Sequence, residues 1–381
     1  MKILGIETSC DETALSIVEA SGDQLSPHFE ILNTALYSQI EIHRQYGGVF
    51  PAVAKREHSM NVTPLLESLL ENYETTPFDA TSVDWQNIET ILEREPELFA
   101  KLKTFIETHE KPVIDMIAVT SGPGLEPALW VGINAARALS AIWNIPVLPV
   151  NHMEGHIVSV LLEGTATQFP MLALLISGGH TELILIESWG AYKKIGETLD
   201  DAIGEAYDKV ARMLGLPYPG GPEISKLASF ARDNNISDES IILPRPMQHT
   251  KDFNFSLSGL KTAVLYKVQA IGEVTDAHKQ CIAREFEQAV TDVVTTKTTR
   301  AIEAHHVHAL IVGGGVIANQ YLRDALASVA TSFDIPVLFP SKELATDNAV
   351  MIAIAGYVKQ FDTQPTVCPE IRASGNLQLE A

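Results

Sequence analysis

The sequence predicts an α/β protein built from two lobes of similar construction. Apolar strand-like runs alternate with segments of helical period along the chain. A strand–turn–strand opening at residues 2–18 is echoed at 171–186. The 381 residues exceed what one hydrophobic core usually serves.

In order, Lys2 to Glu7 reads as a buried strand, followed by the turn Thr8-Ser9-Cys10-Asp11-Glu12-Thr13 and a partner strand from Ala14 to Val18. Residues 58–72 carry helical spacing through Met60, Val62, Leu65, Leu66, Leu69 and Leu70. A strand at 114–119 runs into Ser121-Gly122-Pro123-Gly124, which turns the chain into a helix reaching Trp143. Ile145 to Val150 is again a strand. The second half repeats the logic. Met171 to Ile176 is a strand, Ser177-Gly178-Gly179-His180-Thr181 a turn, and Glu182 to Ile186 the partner strand. Helices are expected near 203–214, 222–232, 256–270 and 276–304. A strand at 308–312 then leads through Gly313-Gly314-Gly315 to a helix at 318–330. A strand at 336–339 and a helix at 347–359 close the pattern. The expected organisation is a first lobe over 1–150, a second over 151–345 holding the metal and substrate site, and a final helix with tail over 346–381.

Two segments stand apart. Residues 74–111 hold nine acids against four bases, and Ile88, Ile91, Leu92, Leu98, Leu102 and Ile106 suggest a helical pair. The segment reads as an acidic, solvated insertion. The tail over 360–381 is polar and without period, and is expected to fray.

Three cysteines, Cys10, Cys281 and Cys368, lie far apart, which excludes a disulfide framework and a Cys-rich zinc site and fits a reducing compartment. The apolar run at the N-terminus is too short for a signal peptide, and no apolar run nears membrane-spanning length. A cytoplasmic protein is expected. The net charge of −21 opposes broad affinity for nucleic acid, because the mean field repels phosphate. The stretch 241–270 is the local exception. Arg245, Lys251, Lys261 and Lys267 face one acid, Asp252, with Phe253, Phe255 and Tyr266 interleaved. Such a patch can contact phosphates and stack a base, and equally can be a solvated helix face over core aromatics.

Chemistry concentrates in turns and in a histidine pair. Thr8-Ser9 and Ser177-Gly178-Gly179 join strands with hydroxyls and small residues, so their amides could cradle a phosphate; each alone could be an ordinary hairpin turn. Gly313-Gly314-Gly315-Val316-Ile317-Ala318-Asn319 follows a strand and opens a helix, which aims N–H dipoles at a ligand. No acid ends a strand some 20 residues later, so a Rossmann dehydrogenase is not indicated. His152 and His156 are four apart, on one helix face, and can share a metal ion or be a solvated pair. Glu154 follows His152 by two residues, a rotation of about 200°, so it faces away and cannot be the general base of a zinc peptidase. Asp347 opens the last helix, where an N-cap is the ordinary role.

Taken together, these segments resemble the TsaD (Gcp) family. The runs that carry the resemblance include Gly5-Ile6-Glu7-Thr8-Ser9-Cys10-Asp11-Glu12-Thr13, Ser121-Gly122-Pro123-Gly124-Leu125, His152-Met153-Glu154-Gly155-His156 and Leu175-Ile176-Ser177-Gly178-Gly179-His180-Thr181. Further along stand Tyr207-Asp208-Lys209, Tyr218-Pro219-Gly220-Gly221-Pro222, Gly313-Gly314-Gly315-Val316-Ile317-Ala318-Asn319 and Thr346-Asp347-Asn348. They come in order and cover nearly all of the chain except 74–111 and the tail.

The resemblance implies an actin/Hsp70-like (ASKHA) fold of two lobes around a nucleotide cleft. It implies transfer of a threonylcarbamoyl group from threonylcarbamoyl-adenylate to N6 of the adenosine just 3′ of the anticodon, in tRNAs reading ANN codons, with release of AMP. By the same resemblance, His152, His156 and Asp347 hold one divalent metal, iron first and zinc second. Leu175, Ile176, Ser177, Gly178, Gly179, Asp208, Gly221 and Asn319 line the substrate. Asp11 or Glu12 would accept the proton of the adenosine amine. A TsaB-like paralogue and a TsaE-like ATPase are the expected partners besides tRNA. The pattern is departed from in the acidic insertion, in Ser225, where many relatives carry an acid, and in Leu175, where archaeal and eukaryotic relatives place a tyrosine ligand. The last marks a bacterial type. An actin-like ATPase or small-molecule kinase is the alternative that fold alone would allow. A noncatalytic partner-binding lobe is a third reading.

Overall fold

The computed structural model describes residues 1–163, 168–341 and 344–379. The chain divides into two compact units, Met1–Thr167 with Asp347–Glu380, and Gln168–Thr346. This corrects the expected boundary at 150. The segment after the strand Pro146–Asn151, including both histidines, stays with the first unit, and the final helix and tail return to it.

The first unit is a six-stranded sheet in the order Thr366–Val367, Pro146–Asn151, Met116–Gly122, Lys2–Glu7, Glu12–Gly22, Pro27–Ser38. Lys2–Glu7 runs parallel to Met116–Gly122 and antiparallel to Glu12–Gly22, with Glu7 opposite Ala14. Because side chains alternate along a strand, Leu4 and Ile6 face one way and Gly5 the other. Leu4 and Ile6 join the core formed with Val62, Leu66 and Leu69 of the helix Pro51–Leu70 and Leu129 and Ile133 of the helix Glu126–Trp143. Gly5 lies under the last helix, Ala349–Lys359, so closely that a Cβ would stand 2.2 Å from the Ala349 carbonyl oxygen. Gly356 of that helix makes the matching approach to Ala118. Small residues thus seat the start of this helix against the strand that ends in Glu7 and its last turn against the neighbouring strand Met116–Gly122.

The 74–111 segment is not merely solvated. It forms the expected helical pair, Trp85–Ile91 and Pro96–Thr108, and Ile88, Leu98, Leu102, Phe105 and Ile106 are buried in the core of the first unit. Two contacts tie it further. Buried Glu95 accepts from the Asn134 amide at 2.8 Å. The Lys101 ammonium donates to the Met60 carbonyl at 2.8 Å, the oxygen that Pro64, lacking an N–H, leaves free inside its helix. Nor does the tail fray over its described part. Thr366–Val367 pairs with the strand at 146–147, Ile371 and Ala373 are buried, and the Ser374 amide donates to the Ser121 carbonyl at 2.9 Å.

The second unit is a five-stranded sheet in the order Ala191–Glu197, Thr181–Ser188, Met171–Ile176, Leu310–Gly313, Val337–Leu338. Its core holds the helices Ile203–Met213, Gly220–Asp233, Ser258–Ile271, Asp276–His305 and Gln320–Ser332. Two longer strands escaped the sequence reading, as did the two-residue strands Thr75–Thr76, Lys111–Pro112 and Thr366–Val367. Pro27–Ser38 is a largely exposed edge with a register shift opposite Ile17 and Val18, and Ala191–Glu197 carries two lysines and two register shifts of its own. Both departures blur the period-2 pattern. No helix among the described residues is long and apolar enough to cross a membrane.

Candidate active site

The parallel strands of the first unit end at one edge of its sheet, and the chemistry stands there. Glu7 closes its strand as a wholly buried carboxylate. His152 opens the short helix His152–Val158, whose N-terminus is capped by the Asn151 side chain accepting from Met153 N–H at 2.8 Å. Helical spacing brings His156 onto the same side, the two rings edge to face at 4.8 Å. Asp347 arrives from the other end of the chain. Its expected N-cap role falls instead to Asn348, which accepts from Met351 N–H at 2.9 Å, so the Asp347 carboxylate is free to turn to the histidines. One oxygen, Oδ1, lies 3.4 Å from His152 Nε2 and 3.2 Å from His156 Nε2.

Ligand atoms of the three residues all lie within 4.8 Å of one another. His152 and His156 are buried, not a solvated pair, and Glu154 is not in the group, as its rotation on the helix predicts. On its far side the His152 Nδ1 stands 2.9 Å from Glu7 Oε2. Glu7 also accepts from Thr120 Oγ1 at 2.6 Å and from the Ser9 amide. Burial alone would lower the His152 pKa. The charges of Asp347 and Glu7 on either side outweigh it and hold the ring protonated well above the ordinary range. Burial would likewise raise Asp347, but the two imidazoles hold its carboxyl well below the usual carboxylate range.

These residues fit a divalent cation. Two imidazoles and a carboxylate are a donor set common to iron and zinc. A cation would take the place of the Nε2 proton of His152 while Glu7 holds Nδ1–H, as carboxylates behind metal-bound histidines do. His156 turns the corresponding nitrogen, Nε2, to the same Asp347 oxygen that His152 Nε2 approaches, so the three donors converge on one point.

Asp11 and Glu12 sit on the turn beside this cluster. Burial and the charges of Asp347 and Asp11 push Glu12 up to about 10. Burial and the same acids raise the Cys10 thiol, so it stays protonated. The turn is braced from behind by His58, buried in the helix Pro51–Leu70. Its Nε2 donates to the Cys10 carbonyl at 3.0 Å and its Nδ1 accepts from Thr13 Oγ1 at 2.7 Å.

The two turns expected to hold phosphate differ. At Thr8-Ser9 the donors are spent internally, the Thr8 hydroxyl on the Ala128 carbonyl at 3.0 Å and the Ser9 amide on Glu7. Both residues are buried, which corrects the reading of this turn as a cradle. In the second unit Ser177-Gly178-Gly179 is open, and Gly178 lines a cavity of about 430 Å³.

That cavity collects Gly178, Asp208, Gly221 and Asn319 from the predicted substrate set. Leu175 and Ile176 are buried strand residues whose side chains join the core instead. Ser177 and Gly179 flank Gly178 without lining the cavity. A Cβ at Gly178, Gly221 or Gly315 would meet nothing within 4 Å, so these glycines leave room for a ligand. Gly220 and Gly314 are different. A Cβ at Gly220 would stand 2.4 Å from that of Ala211, and Gly314 has φ +89° with a Cβ 2.5 Å from the Ile176 carbonyl oxygen. Asp208 accepts from the Gly220 amide at 2.7 Å, and burial raises its pKa.

The basic stretch does not form a free patch. Arg245 pairs with Glu285 and Asp292, Lys261 with Asp201, and Phe255 is wholly buried. Sequence reasoning also missed Glu7, Tyr207 and Glu287. Each left a signal, an acid ending a buried strand or a polar group on a helix stripe of apolar residues.

The chain has an actin/Hsp70-like (ASKHA) fold, with an open pocket in one unit and a His-His-Asp cluster in the other. The family model for TsaD, tRNA N6-adenosine threonylcarbamoyltransferase, matches residues 30–83 and 97–354, leaving a gap inside the insertion. A protein of that description from Paraburkholderia xenovorans (strain LB400) is 40% identical over 361 residues, covering 94% of this chain and 92% of the relative. One from Burkholderia ambifaria is 40% identical over 365 residues with the same coverage. A crystal structure of full-length HypF in a phosphate- and nucleotide-bound form shares the fold, with TM-score 0.55 and 12% identity over 95% of this chain, which spans 56% of that one. The chain belongs to the TsaD family of tRNA N6-adenosine threonylcarbamoyltransferases.

Proposed function

We propose that this protein transfers the threonylcarbamoyl group of threonylcarbamoyl-adenylate to N6 of the adenosine 3′ of the anticodon in tRNAs reading ANN codons. The observation that carries the reading is the convergence of His152, His156 and Asp347, residues from distant parts of the chain, on one buried point. In the reaction the amine nitrogen forms a bond to the carbamoyl carbon, the bond from that carbon to the phosphate oxygen breaks, and AMP leaves with the electron pair.

His152, His156 and Asp347 would hold a divalent ion, iron first and zinc second, which when bound would supply Lewis-acid polarisation of the acyl carbonyl. Glu7 keeps the His152 ring oriented and its Nδ1 protonated. Asp208, Gly221 and Asn319 bound the pocket that takes the AMP part, with Gly178 of the 175–179 turn. Asp11 and Glu12 stand where their charges act with that of Asp347, and one of them takes the amine proton; Glu12, raised to about 10, is protonated at neutral pH, so the role falls first to Asp11. The amine is a weak nucleophile, so positioning and carbonyl polarisation supply most of the rate.

With net charge −21 and Arg245 and Lys261 in ion pairs, tRNA docking calls for a basic partner. A TsaB-like paralogue and a TsaE-like ATPase in the cytoplasm are the proposed companions. The test combines the protein and these companions with tRNA and threonylcarbamoyl-adenylate and measures AMP and modified nucleoside. Equal yields of both are expected. ATP turnover with a small acceptor and no modified tRNA would replace this reading with a kinase.

A further inference from the structure

The pocket of the second unit has a charge behind its wall. Glu287 lies midway along the helix Asp276–His305 and is wholly buried. Its Oε1 accepts from the Ser225 hydroxyl at 2.8 Å and from the Asn319 amide at 2.7 Å, and its Oε2 pairs with Arg232. The Arg232 guanidinium in turn lies over the Tyr321 ring, 3.8 Å from its centroid.

Ser225 and Asn319 line the cavity; Glu287 does not. Asn319 is fully committed. Its Oδ1 caps the helix Gln320–Ser332 by accepting from Leu322 N–H at 3.0 Å. Its Nδ2 serves Glu287, Ser225 Oγ at 2.9 Å and the Tyr207 hydroxyl at 3.3 Å. The Ser225 hydroxyl gives its proton to a carboxylate, which makes its oxygen a stronger acceptor. No lysine or arginine stands among the described lining residues. The Ser225 oxygen, polarised by the carboxylate behind it, suits a hydroxyl donor, and the described lining offers a phosphate no lysine or arginine.

We propose that Glu287 is a positioning residue which, through Ser225 and Asn319, makes this wall the subsite for a sugar hydroxyl of the nucleotide, with the phosphate directed away from it. The proposal rests on the assignment of the AMP part to this pocket and deepens it. Glu287 touches no ligand; it orients Ser225, which does, and holds Asn319 in place beside it.

The experiment is calorimetric binding of AMP, 2′-deoxy-AMP and 3′-deoxy-AMP to the full chain and to Glu287→Gln and Ser225→Ala. A hydrogen bond to a charge-backed acceptor predicts that the wild-type chain prefers AMP over one deoxy analogue by about tenfold or more. In both variants that preference falls to within about twofold, by weakened binding of AMP and not of that analogue. General damage to the fold would weaken all three nucleotides together, so the ratio separates positioning from stability. Ser225→Ala exposes no charge and leaves Glu287 paired with Arg232, which keeps the test decisive if Glu287→Gln folds poorly. If the preference survives in Ser225→Ala, the role of Glu287 is overturned while the proposed function stands. If the wild-type chain binds none of the three, the pocket assignment falls as well.

Discussion

His58 should make the first unit sensitive to mild acid by a calculable amount. Burial lowers its pKa from 6.5 to about 4, only partly opposed by the Cys10 carbonyl and the charges of Glu7 and Asp11, while His43 adds to the depression. The folded state therefore binds a proton less readily than the unfolded state. The stabilisation this gives is complete above pH 6.5, declines as pH falls through the window from 6.5 to 4, and is gone below it. A shift of this size is worth about 3 kcal/mol. Glutamine at this position can donate to the Cys10 carbonyl and accept from Thr13 without titrating. Urea unfolding of the wild type and His58→Gln at several pH values between 7.5 and 4 isolates the residue, because all other acids titrate in both proteins. The wild type should lose about 3 kcal/mol more than the variant over that range. Parallel curves would refute the argument that His58 is held neutral by burial.

Other consequences follow from single contacts. Glu7→Gln keeps the shape but weakens the grip on His152, so metal affinity measured by competition with a chelator should fall roughly 10–100-fold; unchanged affinity would remove Glu7 from the metal's surroundings. Gly221→Val should abolish AMP binding in calorimetry with Tm unchanged, whereas the neighbouring Gly220→Ala should cost about 1–3 kcal/mol of stability through overpacking against Ala211. Leu102→Ala, in the insertion, should destabilise the chain by roughly 2–5 kcal/mol in urea titrations, since its side chain lies in the main core of the first unit. A negligible effect would return that segment to the solvated loop its acidity suggests.

Much of the architecture was legible because burial writes its period into sequence. The alternation of apolar strands and helices placed most elements within a few residues, and the glycines at 178, 221 and 315 marked the pocket. Resemblance, not spacing, united His152 and His156 with Asp347. Spacing alone favoured an N-cap at Asp347, and only the packing of Gly5 against the Ala349 carbonyl, with Asn348 taking over the cap, shows why that carboxylate is free. The insertion misled because net charge is read over all faces, while its buried side is set by Leu98, Leu102 and Phe105. Thr8 and Ser9 misled because hydroxyls that can hold a phosphate can equally be spent on Glu7 and Ala128. Glu287 could have been found. It sits on the same helical stripe as Ala283, Val290 and Val294, where an acid needs a buried partner.

The most direct test of the account is to measure bound metal and tRNA modification on the same preparations of the wild type and of folded His152→Ala. The account predicts one divalent ion per wild-type chain, and loss of ion and modification together in the variant. A metal-free His152→Ala protein that modifies tRNA at the wild-type rate would contradict it.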